Sequence, residues 1–153
     1  MTINHAKRKI REKGWTKILP SGTSQLELLL VESHRSLARS LRAGLEEEGF
    51  GVHSVDDPDK SQALLGSREF AAIIVDIPTD NDGRIVRQWR QSGITTPVLI
   101  LAAPGNSLEK LADSGLGPGA FLAKPFAFDD LLNRLALLTE GHPIQTKDQF
   151  LPR

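Results

Sequence analysis

Apolar side chains along this chain fall into two alternating patterns, short β-rich runs and longer stretches with helical spacing. Leu26, Leu28, Leu29, Leu30 and Val31 form a near-continuous apolar run, of the type found in strands buried on both faces. From Ser36 to Glu48, Leu37, Ala38, Leu41 and Leu45 recur at helical spacing with Arg39, Arg42, Glu46 and Glu47 on the other side, and Gly49 supplies a stop. Val52 to Val55 reads as a weaker second strand, and Asp59 as the cap of a helix that carries Ala63, Leu64 and Leu65 and ends at Gly66. Phe70 to Val75 is the clearest buried strand; Asp76 and a polar loop from Ile77 to Gly83 follow it. A helix over about 84–91, a strand from Pro97 to Leu101, a short helix from Ser107 to Asp113 and a strand from Ala120 to Ala123 come next. The last helix, Phe128 to Leu138, sets Leu131, Leu132, Leu135 and Leu138 on one side.

Five strands alternating with five helices predict an α/β fold: a doubly wound five-stranded parallel sheet with helices on both faces. Ligands of such sheets bind beyond the carboxyl ends of the strands. That rule selects Glu32 and Ser33 after the first strand, Asp76 after the third, Ala102 after the fourth and Lys124 after the fifth.

Composition narrows the function classes. The chain has 153 residues, 39% of them hydrophobic, which suffices for one buried core. With no Cys, it has no disulfide, thiolate chemistry or Cys-ligated metal. No apolar run reaches the roughly 20 residues of a membrane span, so a soluble, cytoplasmic protein is expected. The balanced total of 19 cationic and 19 acidic residues conceals an asymmetry. Residues 1–25 hold six cations, Lys7, Arg8, Lys9, Arg11, Lys13 and Lys17, against Glu12, a net +5, and the remainder carries −5. Turn-forming residues from Pro20 to Ser24 then set a boundary near Gln25. The expected organisation is a basic arm and linker over 1–25, a domain over 26–138 and a tail over 139–153, with no further domain expected after residue 138.

The order of elements and the strand-end residues resemble a response-regulator receiver domain, the CheY-like phosphoacceptor module of two-component signalling. Three motifs carry the resemblance: Leu28-Leu29-Leu30-Val31-Glu32; Ile73-Ile74-Val75-Asp76 followed by Pro78 and Asp82-Gly83; and Ala123-Lys124-Pro125-Phe126. The resemblance implies that Asp76 is the phosphoacceptor and that Lys124 pairs with the phosphoryl group. It also implies that two acids after the first strand hold Mg²⁺. Here the first is Glu32 and the second position is Ser33, a neutral hydroxyl where a hard cation prefers a carboxylate. The hydroxyl residue after the fourth strand is matched by Ala102, and the aromatic switch of the fifth strand by Phe121. The implied metal site therefore rests on Glu32 and Asp76 and binds Mg²⁺ weakly. A cis Lys124–Pro125 bond is a further implication of the resemblance.

These departures favour an atypical receiver that acts through protein contacts, with no enzymatic activity, over a conventional one phosphorylated by a histidine kinase. The expected interaction face comprises the fourth helix (Ser107 to Asp113), Phe121 of the fifth strand and the fifth helix (Phe128 to Leu138), meeting a protein partner or a second copy. Alternative readings stand beside these. Asp76 and Lys124 also fit a plain structural ion pair. Asp80 and Asp82 suit loop caps better than metal ligands, and His34 suits a solvated helix cap. Gly115 to Gly119 lacks the following Lys-Ser/Thr and helix of a phosphate-binding loop, which leaves a small flavodoxin-like enzyme or nucleotide binder without support. The basic arm fits partner docking or disorder better than nucleic acid, because it is short and carries one aromatic residue, Trp15.

Overall fold

The computed structural model describes residues 26–77, 83–103 and 119–139. Readings that concern 1–25, Asp80 and Asp82, the helix from Ser107 to Asp113, the glycine run before Gly119 and the tail beyond Thr139 lie outside the described residues. The elements are β1 (Glu27–Val31), α1 (Arg35–Glu47), β2 (Gly51–Val55), α2 (Pro58–Ser67), β3 (Ala72–Ile77), α3 (Arg84–Gln91), β4 (Val98–Ala102), β5 (Gly119–Ala123) and α4 (Phe128–Leu138). The strands form one parallel sheet in the order β2-β1-β3-β4-β5. α4 is the fifth helix expected from the sequence.

Strand alternation divides the apolar residues between two cores. Leu28 and Leu30 of β1, Ile74 of β3, and Leu99 and Leu101 of β4 meet Leu41 and Leu45 of α1 and Leu131, Leu132 and Leu135 of α4. Leu29, Val31, Ile73, Val75, Ile100 and Phe121 meet Leu65 of α2 and Val86 and Trp89 of α3. Each such side chain taken fully from water contributes about 1.5–3 kcal/mol, and this is what the near-continuous apolar runs of β1, β3 and β4 achieve. α1 and α4 also approach closely: a β-carbon on Gly44 would lie 2.8 Å from the Phe128 ring.

Chain punctuation explains most boundaries. After α1, Gly49 takes φ +103°, its N–H donates to the Glu46 carbonyl at 3.0 Å, and the Phe50 N–H reaches the Leu45 carbonyl at 3.1 Å. This pair of bonds satisfies carbonyls that the helix end would leave open. Three expectations require correction. The cap of α2 is Asp57, not Asp59: Pro58 opens the helix, and the Asp57 carboxylate accepts the Asp59 N–H at 2.9 Å. Gly66 lies inside α2, which runs on to Ser67. β3 spans 72–77 in place of 70–75, so Asp76 is its penultimate residue; Phe70 is buried but precedes the strand. At α3 the N-cap is Gly83, at φ +84°.

Candidate functional site

Register brings the selected strand ends to one place. Val31 pairs with Val75, so Glu32 follows β1 at the level of Asp76. Ile77 pairs with Ala102 and Ala102 with Ala123, so Lys124 leaves β5 beside the same level. The Lys124 N–H continues the ladder to the Ala102 carbonyl at 3.0 Å, and the Lys124–Pro125 bond is cis.

Lys124 Nζ donates to Asp76 Oδ1 at 2.6 Å. The two side chains are 23% and 17% exposed, so solvent screens the pair only partly. Glu32 is 2% exposed. Its Oε2 accepts the His34 backbone N–H at 3.0 Å, whereas Oε1 is buried with no donor facing it. Burial, which disfavours the ionised form, pushes the Glu32 carboxyl above its ordinary range, and the nearby Asp76 carboxylate pushes the same way. The His34 N–H and the Lys124 ammonium oppose that rise without cancelling it.

The other selected residues take different places. Ser33 is exposed and lines an open groove of about 350 Å³ together with Glu32, Arg35, Ser54, Asp56 and Lys60. Lys60 is tied to Asp56 at 2.8 Å on its rim. Ala102 and Phe121 are buried at 1% and 0%. His34 is the N-cap of α1 and is exposed, but its side chain makes no capping bond. Its contact with the site is through the backbone N–H, to Glu32. Sequence reading missed that contact, and the only signal for it is an acid two residues before the N-cap of a helix that has no acid in its first turn. Also unforeseen is a cluster at the opposite end of the sheet. There Glu27 Oε1 holds His53 Nε2 at 2.8 Å and an Arg68 nitrogen at 3.3 Å, with His53 edge-on to Phe70 at 5.6 Å.

Among the described residues, no group of three or more His, Cys, Asp or Glu side chains is placed to hold a metal ion, and no helix is long and apolar enough to cross a membrane. The Glu32, Asp76 and Lys124 set offers two carboxyls and an ammonium, an arrangement suited to holding a small charged group against the sheet end.

Comparison with known proteins is consistent in kind. Residues 28–136 match the model of the response regulator receiver domain. The probable transcriptional regulatory protein SilR of Salmonella typhimurium is 35% identical over 128 residues, covering 82% of this chain and 56% of that protein. The transcriptional regulatory protein CusR of Escherichia coli K12 is 34% identical over 128 residues, with the same two coverages. The chain thus spans about half the length of these curated relatives. Among solved structures, the chemotaxis response regulator CheY4 of Vibrio cholerae superposes with a TM-score of 0.63 at 26% identity, covering 74% of this chain and 98% of that one.

Proposed function

The chain belongs to the response regulator receiver domain family of two-component signalling, and from that premise we propose that it is an atypical receiver. In this reading it acts mainly as a protein-interaction module, and Mg²⁺-dependent phosphorylation of Asp76 is weak or absent. The observation that carries the reading is the charge inventory of the crevice. Mg²⁺ serves phosphoryl transfer by neutralising the transferring oxygens, and it is held by one or two carboxylates with waters and phosphate. Here one carboxyl, Glu32, is buried at the end of β1 with one of its two oxygens taken by the His34 backbone N–H. Beside it and Asp76, a third acid is replaced by Ser33. This set fits a resident Mg²⁺ poorly. At the output end, Ala102 and Phe121 have no hydroxyl with which to follow a modified Asp76. A ligand without differential contact to two states shifts no equilibrium between them.

The proposed organisation keeps the basic arm at 1–25, the receiver body at 26–138 and the tail at 139–153. The proposed contact face is the β5–α4 side with the segment from Ser107 to Asp113, meeting a protein partner or a second copy in a cytoplasmic setting; Phe121, expected on that face, is instead fully buried in the core with Val86 and Trp89. Incubating the full chain with acetyl phosphate, or with beryllofluoride, in the presence of Mg²⁺ tests the reading by intact mass and by amide chemical shifts. The expected result is little or no adduct. A stoichiometric Asp76 adduct that rearranges the β5–α4 face would overturn it. The 2.6 Å Lys124–Asp76 contact favours the second reading, a conventional receiver phosphorylated by a histidine kinase. That reading fails if Asp76→Asn leaves partner binding and signalling output unchanged.

A further inference from the structure

Helix α1 carries its charges against its own dipole. Its first turn holds Arg35 and no acid, its last turn holds Glu46 and Glu47 and no base, and the C-cap that follows is Glu48. A helix is positive at its amino end and negative at its carboxyl end, so both groups stand where they are disfavoured. The bond from the His34 N–H to Glu32 offsets this at the amino end, and no basic residue of the last turn does so at the carboxyl end. Within the helix Arg42 Nε donates to Glu46 Oε2 at 3.2 Å, with the base before the acid, the weaker of the two orders. Arg35, Arg39 and Glu47 form no ion pair among the described residues. These charged side chains are exposed, as are Ser36, Ser40 and Ala43 among them. Phe128 of α4 packs at Gly44 on one flank of α1, and the groove past Arg35 and Ala38 lies on the other, so the charged face is the open strip between.

A second helix of the same charge order, laid antiparallel, turns each misplaced charge into a favourable one. We propose that this face of α1 is the contact surface for a second copy of the chain, with the two α1 helices antiparallel about a two-fold axis near mid-helix. Arg35 and Arg39 of one copy then stand at the carboxyl end of the other copy's α1, beside its Glu46 and Glu47, and the same contacts repeat across the axis. Each arginine gains both a carboxylate and a helix end of opposite sign. Ser36, Ser40 and Ala43 occupy the middle of the face, where small side chains let the backbones approach. A partner of one charge sign would satisfy only half of this face. The order positive then negative selects a helix that presents the same order in reverse, which the chain itself supplies. A 13-residue helix is about 20 Å long, so the contact area is small and the dimer is weak and salt-sensitive. The contact does not involve Asp76, and it leaves the β5–α4 side to a protein of another kind.

Analytical ultracentrifugation of the full chain tests this. Wild type is expected to dimerise weakly at about 0.01 M salt and roughly tenfold less tightly at about 1 M. Arg35→Glu with Arg39→Glu leaves the face mainly acidic, and Glu46→Arg with Glu47→Arg leaves it basic. Each double variant alone should lose roughly tenfold or more in self-association. An equimolar mixture of the two should form the mixed dimer, and the chain carrying all four changes should self-associate again. The substituted positions are exposed, so the variants are expected to fold, which circular dichroism checks. A wild type that stays monomeric to millimolar concentration at low salt, a dimer that survives both double variants, or double variants that fail to associate when mixed each overturns the inference. Amide shifts of α1 that follow salt but not protein concentration would assign the face to the basic arm of the same chain and overturn it as well. None of these readouts depends on Asp76, so this contact and the atypical-receiver reading fail separately.

Discussion

Serine at position 33 leaves the crevice one carboxylate short, and that single deficit is separable by mutation from everything else in the site. Ser33 is exposed and bears on no buried contact, so Ser33→Asp is expected to leave stability within about 0.5 kcal/mol of wild type. Mg²⁺ affinity, measured by titration calorimetry, should rise by roughly tenfold or more, the scale on which ligand-shell changes act. An unchanged affinity would show that the missing acid is not what limits the metal. Glu32 gives a second residue-scale expectation, in pH. Its folded carboxyl is raised above the ordinary 4.5 mainly by burial, so the folded state holds that proton more tightly than the unfolded chain. Stability therefore falls as pH rises from about that ordinary value through the higher folded one. Glu32→Gln cannot ionise, so relative to wild type it should gain stability between pH 4 and pH 7, measured by denaturant unfolding at each pH. A constant difference across that range would contradict the raised carboxyl. Strand ends made Glu32, Asp76 and Lys124 legible from the sequence, since the residue after a buried run is visible in the run itself. The Glu32 contact to the His34 N–H was not legible, because it is a backbone bond fixed by how the chain turns into α1.

Helices and strands were more legible in kind than in their ends. The five strands lie where the apolar runs put them, in the expected parallel arrangement. β3 is displaced by two residues because pairing with β1 and β4 decides its limits: the apolar run begins before the strand, at Phe70, and the ladder to β4 carries it past the polar Asp76 to Ile77. At α2 the sequence offers Gly66 as a stop and Asp59 as a start; Asp57 with Pro58 wins the start because the proline ring sets the first helical φ. The two glycines at 49 and 66 turn this difference into a measurement. Gly49 has φ +103° with open space around it, so Gly49→Ala costs only backbone strain, about 1 kcal/mol. Gly66 sits within α2, has no positive φ and is equally open, so Gly66→Ala should stabilise by about 0.5–1 kcal/mol. Opposite signs in urea unfolding are expected. Equal losses would mean that α2 ends at Gly66, as the sequence alone suggested.

At the scale of the whole chain, electroneutrality is the sum of two opposed parts. Residues 26–139 carry eleven cationic and sixteen acidic side chains, a net −5, and the arm at 1–25 carries +5. Both core clusters are closed among the described residues, between Leu28 and Leu138, with helices on either face of the sheet. A unit of this size with its own core is expected to fold alone. A fragment spanning 26–139 should therefore unfold cooperatively, with a Tm at high salt within about 5 °C of the full chain, equivalent to roughly 1 kcal/mol for a domain of this length. Low salt separates the possible roles of the arm. The Debye length is about 30 Å at 0.01 M and about 3 Å at 1 M. If the arm neutralises the acidic body of its own chain, the full chain exceeds the fragment in Tm at 0.01 M, and the difference closes as salt is added. If the arm serves only an external partner, the two proteins track each other at every salt concentration. The self-repulsion of a −5 body favours the first outcome. Thermal scans of both proteins across that salt range decide between them, and a difference that grows with salt would contradict an electrostatic role for the arm altogether.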